Sequence, residues 1–174
     1  MKKLIIIIFI FVVTLNGASG CTQPTTPQPP ATTPADFNLI FKYGITARNT
    51  LDTFQGMYTK DMILDPAITV ELSLTQEEMD KIYQKMREID FFSYPVKFAV
   101  GAGPGEPVSE VTPYSTYFFK VTYDGHTREL LWDDKIIKKD EKADRLRELI
   151  EFIRGMVEAR EEYKKLPEPR GGYL

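Results

Sequence analysis

The sequence predicts an α+β domain: an antiparallel β-sheet with two helices packed on one face. Three observations carry this. Short segments alternate apolar and polar residues at a period of two, the mark of strands with one buried face. Two longer segments repeat apolar residues at helical spacing, one of them behind a capping signature. Asp124-Gly125 stands between two apolar runs as a two-residue hairpin turn. The order strand–strand–strand–helix–(short strand)–strand–strand–helix lets neighbouring strands pair antiparallel and leaves the helices to cover the sheet.

The first 35 residues do not belong to that domain. Met1-Lys2-Lys3 is basic, and Leu4 to Leu15 is almost unbroken apolar sequence. Asn16-Gly17 ends the run, and the small residues Ala18, Ser19 and Gly20 precede Cys21. This is the layout of a secretory signal. The run is too short for a transmembrane helix, which needs about 20 apolar residues. Ala18-Ser19-Gly20-Cys21 resembles the lipobox of prokaryotic membrane lipoproteins, with alanine in place of the usual leucine at its first position. The resemblance implies cleavage between Gly20 and Cys21 and a diacylglyceryl group, with acyl chains such as palmitate, on the Cys21 thiol. It also implies a location on the extracytoplasmic side of the cell membrane. Two acyl chains would give stable attachment where one gives marginal attachment.

Thr22 to Ala35 contains five Pro and five Thr, with no charge and no large apolar side chain. Such a segment cannot bury a core and is expected to stay extended and solvated, reaching roughly 40 Å in the polyproline form. Residues 1–20 are thus read as signal peptide, 21–35 as lipidated cysteine and linker, 36–166 as one domain, and 167–174 as a loose tail.

Within the domain, Phe37, Leu39, Phe41 and Tyr43 share one face of a first strand. Gly44 to Asn49 holds turn-formers, Thr50 to Tyr58 is expected to return as a second strand, and Ile68 to Leu72 forms a third after a turn at Asp65-Pro66. Leu74-Thr75-Gln76-Glu77-Glu78-Met79 combines a capping box, Thr75 with Glu78, and a hydrophobic staple, Leu74 with Met79. Met79, Ile82, Tyr83, Met86 and Ile89 then form the apolar stripe of a helix ending near Asp90. The rings of Phe91, Phe92 and Tyr94 are expected to pack under the sheet, followed by a short strand over Val96–Val100. Gly101 to Pro107 is a loop without the ending of a phosphate loop. The hairpin over Thr116–Trp132 sets Tyr123 opposite His126, Phe119 opposite Leu130 and Tyr117 opposite Trp132. Asp140 to Leu166 reads as one long helix with Ala143, Leu146, Leu149, Ile150, Ile153, Met156 and Val157 buried, and with Arg147–Glu151 and Glu161–Lys165 pairs outside.

Tyr43-Gly44, Leu74-Thr75, Asp90-Phe91-Phe92 and Tyr123-Asp124-Gly125 together resemble a family of uncharacterised bacterial lipoprotein domains. That resemblance brings no activity with it.

The chemistry-bearing residues point away from several functions. Loss of Lys2 and Lys3 leaves 20 basic residues against 25 acidic ones, a charge of −5, which disfavours nucleic acid as a partner. One cysteine excludes an intrachain disulfide, and its acylation leaves no thiol nucleophile. His126 is the only histidine, so neither a Ser/His/Asp triad with a nucleophile elbow nor a common zinc site is evident, and no cofactor is expected. Asp133-Asp134 with Asp140-Glu141 lacks the ordered spacing of a calcium loop. Asp61 and Asp65 are a carboxylate pair of the kind glycoside hydrolysis uses, though any domain of this size offers such pairs. The expectation is a non-catalytic module that binds a protein, peptide or cell-wall ligand. The alternatives are an envelope-polymer hydrolase working through Asp or Glu, and an inhibitor inserting its 101–115 loop.

Overall fold

Residues 29–101 and 109–173 are described in a computed structural model. Their elements run β1 (Asn38–Tyr43), β2 (Asn49–Asp52), β3 (Met57–Met62), β4 (Asp65–Glu71), α1 (Gln76–Glu88), β5 (Lys97–Phe98), β6 (Glu110–Tyr123), β7 (His126–Ile136), α2 (Glu141–Glu158) and α3 (Glu161–Lys164). One sheet takes the strands in the order β4-β3-β2-β1-β6-β7-β5. Alternation assigns its two faces. Leu39, Phe41, Leu51, Tyr58, Phe119, Val121, Leu130 and Trp132 point to one side and join Ile82, Tyr83 and Met86 of α1 and Leu146, Leu149, Ile150, Ile153 and Val157 of α2 in a single core. Each large side chain so buried contributes about 1.5–3 kcal/mol. The residues between them, such as Ile40, Lys42, Lys120 and Glu129, lie on the uncovered face. The α+β class and the packing of the helices on the sheet are as the sequence predicts.

The sheet is mixed rather than purely antiparallel. β5 pairs in parallel with β7, Lys97 opposite Leu131 and Phe98 opposite Trp132, and the Leu131 N–H donates to the Val96 carbonyl at 2.7 Å. The chain leaves α1 through a short 3-10 turn, Phe91–Ser93, whose Phe91 and Phe92 bury their rings, and so arrives at the far edge running alongside β7.

The capping box forms as expected: Thr75 Oγ1 accepts from the Glu78 amide at 3.3 Å, and Glu78 Oε2 accepts from the Thr75 amide at 2.7 Å. The hairpin keeps the expected register, from Tyr123 opposite His126 to Tyr117 opposite Trp132, and continues to Glu110 opposite Ile136.

Other boundaries differ from the sequence reading. Thr50–Tyr58 is two strands, not one. The Asp52 carboxylate accepts from the Phe54 and Gln55 amides, folding a turn that closes at Gly56, φ +64°. Asp65-Pro66 lies inside β4, and the preceding reversal falls at Ile63, φ +62°. The long helix is broken. Asp140 caps α2, accepting from the Ala143 amide at 2.9 Å, but Arg160 is extended (φ −73°, ψ 141°) and α3 starts afresh. The Arg160 guanidinium reaches the Ser73 carbonyl and lies 3.1 Å from the Glu78 carboxylate, a tether to the start of α1 that periodicity does not reveal. Arg147 pairs with Asp134 and Asp144 rather than Glu151, and Glu161 pairs with Lys164 rather than Lys165. Met156 is only half-buried.

Both ends of the domain are fastened. The Tyr83 hydroxyl donates to the Pro30 carbonyl at 2.9 Å and Arg87 to the Ala31 carbonyl at 2.8 Å, so the last linker residues lie on α1. Residues 167–173, expected to be loose, contact β3 and β4: Lys60 donates to the Pro167 carbonyl, Arg170 pairs with Asp65, and Ile63 bridges Arg170 in parallel. Gly20, Cys21 and the first linker residues lie outside the described residues, as do residues 102–108 of the 101–115 loop. Among the described residues no helix is long and apolar enough to cross a membrane.

Candidate functional site

The sequence singles out few chemical groups, and the fold disperses most of them. His126 is exposed beside the hairpin turn, its ring 5.9 Å from that of Tyr123. Asp133 accepts from the Thr116 hydroxyl at 2.7 Å, Asp134 holds Arg147, Asp140 caps α2, and Glu141 pairs with Arg145. Among the described residues no three His, Cys, Asp or Glu side chains converge to hold a metal ion. Asp61 and Asp65 part company: Asp65 is bound to Arg170, while Asp61 is buried and turns into a cleft.

That cleft has a volume of about 340 Å³ and opens where β1 ends. Its floor follows from local backbone constraints. Tyr43 closes β1, and Gly44 turns the chain at φ +93°, where a Cβ would come within 2.9 Å of the Asn49 amide nitrogen. Asn49 donates to the Tyr43 carbonyl at 3.3 Å and accepts from the Asp61 amide at 3.0 Å, tying β1, β2 and β3 together under the cleft. The Tyr43 and Tyr58 hydroxyls lie 2.7 Å apart. Burial pushes Tyr43 up to about 12, opposed by its bond to Tyr58. Burial, reinforced by Tyr43, drives Tyr58 higher still. Tyr117, Tyr163 and Tyr173 are also raised, chiefly by burial. All five phenols are therefore neutral hydrogen-bonding groups near pH 7.

Two cations line the walls. Lys60 is only 4% exposed; its Nζ donates to the Pro167 carbonyl at 3.0 Å, lies 3.7 Å from Glu168 and sits 4.8 Å over the Tyr163 ring. Arg154 stands 5.5 Å over the Tyr43 ring and pairs with Glu151 at 2.8 Å and Glu158 at 3.2 Å. Its Nε is buried and has no hydrogen-bond partner among the described residues. Asp61 accepts from the Ile63 amide at 3.1 Å and from the Tyr173 hydroxyl.

Sequence reasoning named Asp61 but missed Lys60, Arg154 and the tyrosines as a group. A signal existed for the cations. Lys60 falls between Tyr58 and Met62 on an apolar strand face, and Arg154 follows Ile153 and precedes Val157 at the edge of an apolar helical stripe. A cation placed against such a face needs a partner, and here the partners come from the C-terminal segment and from a neighbouring helical turn. No protein-family profile matches this chain, and no curated protein matches it.

Proposed function

We propose that this chain is a lipid-anchored, extracytoplasmic binding module that presents the tyrosine-lined cleft away from the bilayer. The anchor rests on Ala18-Ser19-Gly20-Cys21 behind a short apolar run. The observation that carries the orientation is the polarity of β1. At its start, Pro30 and Ala31 lie on α1, and the Asp36 carboxylate accepts from the Asp124 and Gly125 amides of the hairpin turn. At its end, Tyr43 and Gly44 line the cleft. The strand separates stalk from cleft by roughly 17 Å at about 3.3 Å per residue.

The state of the polar groups supports binding over catalysis. A nucleophile needs an adjacent base, and a glycoside hydrolase working through Asp or Glu needs a pair of carboxylates with distinct protonation roles. In this cleft Asp61 is held by Ile63 and Tyr173, and Glu158 is paired with Arg154.

Metabolic labelling with an alkyne palmitate analogue in a bacterial host, followed by protease shaving of intact spheroplasts, tests the reading. The parent chain should carry the label and be removed by external protease, and a Cys21→Ser variant should carry none. Equal labelling of the two, or a labelled chain that is cut only after permeabilisation, would contradict it.

A further inference from the structure

Both cations of the cleft already have partners. Arg154 lies between Glu151 and Glu158, and Lys60 lies against the Pro167 carbonyl and Glu168. A phosphate or carboxylate entering here would face Asp61, Glu158 and Glu168, whereas a bare cation would face Lys60 and Arg154. Like-charge contact of either kind opposes binding. A neutral ligand avoids both, provided that its own polar groups satisfy what they desolvate.

The cleft asks for groups that donate and accept together. Carboxylates accept only, guanidinium and ammonium groups donate only, and a hydroxyl does both. Arg154 lines the cleft with about a third of its side chain exposed, 34%, so its guanidinium can donate to a bound hydroxyl. Tyrosine supplies the remaining surface, a flat apolar ring with a polar tip suited to a ligand that is apolar on one face and wet at its edge. A peptide strand would dock by main-chain bonds along an exposed sheet edge. The sheet edges are β4 and β5, whereas this cleft is floored by the ends of β1 and β3 and walled by α2 and the C-terminal segment.

We propose that this cleft binds a polyhydroxylated neutral ligand, a short glycan segment, with Arg154 donating to and Glu158 and Glu168 accepting from its hydroxyls, and with the partly exposed rings of Tyr117, Tyr163 and Tyr173 against its C–H faces. This rests on the cleft being the binding site of the module. The ligand class and the orientation of its hydroxyls follow from one arrangement of groups.

Calorimetry on the full mature chain in detergent micelles tests it. The probes are neutral oligosaccharides built from N-acetylglucosamine, glucose, galactose and mannose, with tetra-alanine amide and inorganic phosphate alongside. At least one oligosaccharide should bind saturably. Arg154→Met keeps the aliphatic stem, and Tyr173→Phe alters only the C-terminal wall, so the second reports if the first fails to fold. Each should weaken binding by about tenfold or more, while Lys120→Ala on the uncovered face should leave it unchanged. Absence of oligosaccharide binding at millimolar concentration overturns the proposal. Phosphate or peptide binding that is lost in Arg154→Met overturns the glycan class but keeps the cleft as the binding site. Oligosaccharide binding that persists in both cleft variants overturns the site as well.

Discussion

Tyr43 concentrates several roles at one position. It ends β1, stacks on Phe41 with ring centroids 4.9 Å apart, receives Arg154 over its ring and meets the Tyr58 hydroxyl. Its raised ionisation has a definite consequence for stability. The ordinary tyrosine value is 10.0, and the folded value is about 12. A group raised on folding contributes stability that is intact below its unfolded value and is lost as pH climbs through the folded one. Far-UV circular dichroism in denaturant should therefore show stability falling from pH 10 upward, less steeply in Tyr43→Phe, which removes one titrating group. Equal slopes in the two would contradict the assignment. Asp36 acts at the other extreme. The Gly125 and Asp124 amides hold its carboxyl below its ordinary range, so its contribution is present above that range and disappears as pH falls through the folded value. Phe119, fully buried and stacked on Phe41 at 4.6 Å, marks the centre of the core. Phe119→Ala should cost about 3–5 kcal/mol in chemical denaturation; a loss below about 1 kcal/mol would place the core elsewhere.

At the scale of elements, legibility depended on whether a segment carried its own instructions. α1 did: Thr75 and Glu78 satisfy each other's amides, and the apolar stripe follows at once. Thr75→Ala should lower stability by about 1 kcal/mol, read from the denaturation midpoint at unchanged slope. The β6–β7 hairpin did too, because Asp124-Gly125 sets the register of every pair behind it. The β2–β3 turn was readable in principle, since Asp52 and Gly56 are its chemistry, but Phe54, apolar between Leu51 and Met57, hid it. The break after α2 was not readable: Ala159-Arg160 contains no breaker, and the cause is the reach of Arg160 to Ser73 and Glu78 from across the chain. The parallel β5 was likewise set by where α1 delivers the chain. The C-terminal segment is polar and exposed, which suggested looseness, yet its partners Lys60, Asp61 and Asp65 lie more than a hundred residues earlier. Truncation after Leu166 removes the Pro167 carbonyl and Glu168 from Lys60. Amine-reactive labelling read by peptide mass spectrometry should then modify Lys60 rapidly in the truncated chain and slowly in the full one. Equal rates would mean that the segment does not cover it.

For the whole molecule, the core and the helix-covered face were legible because they follow from periodicity. The cleft was not, because it gathers short groups of residues from strand ends, a helix and the tail that lie far apart in sequence. What joins the scales is direction: the linker meets the domain at the start of β1, and the cleft opens at its end. That direction has functional meaning only if the linker is tethered. Trypsin has no site between Cys21 and Lys42, so the N-terminal peptide is the direct readout. Accurate mass should show it beginning at Cys21 with a diacylglyceryl group on the sulfur. A peptide that begins upstream of Cys21, or that begins there with a bare thiol, would contradict the anchor and the orientation built on it.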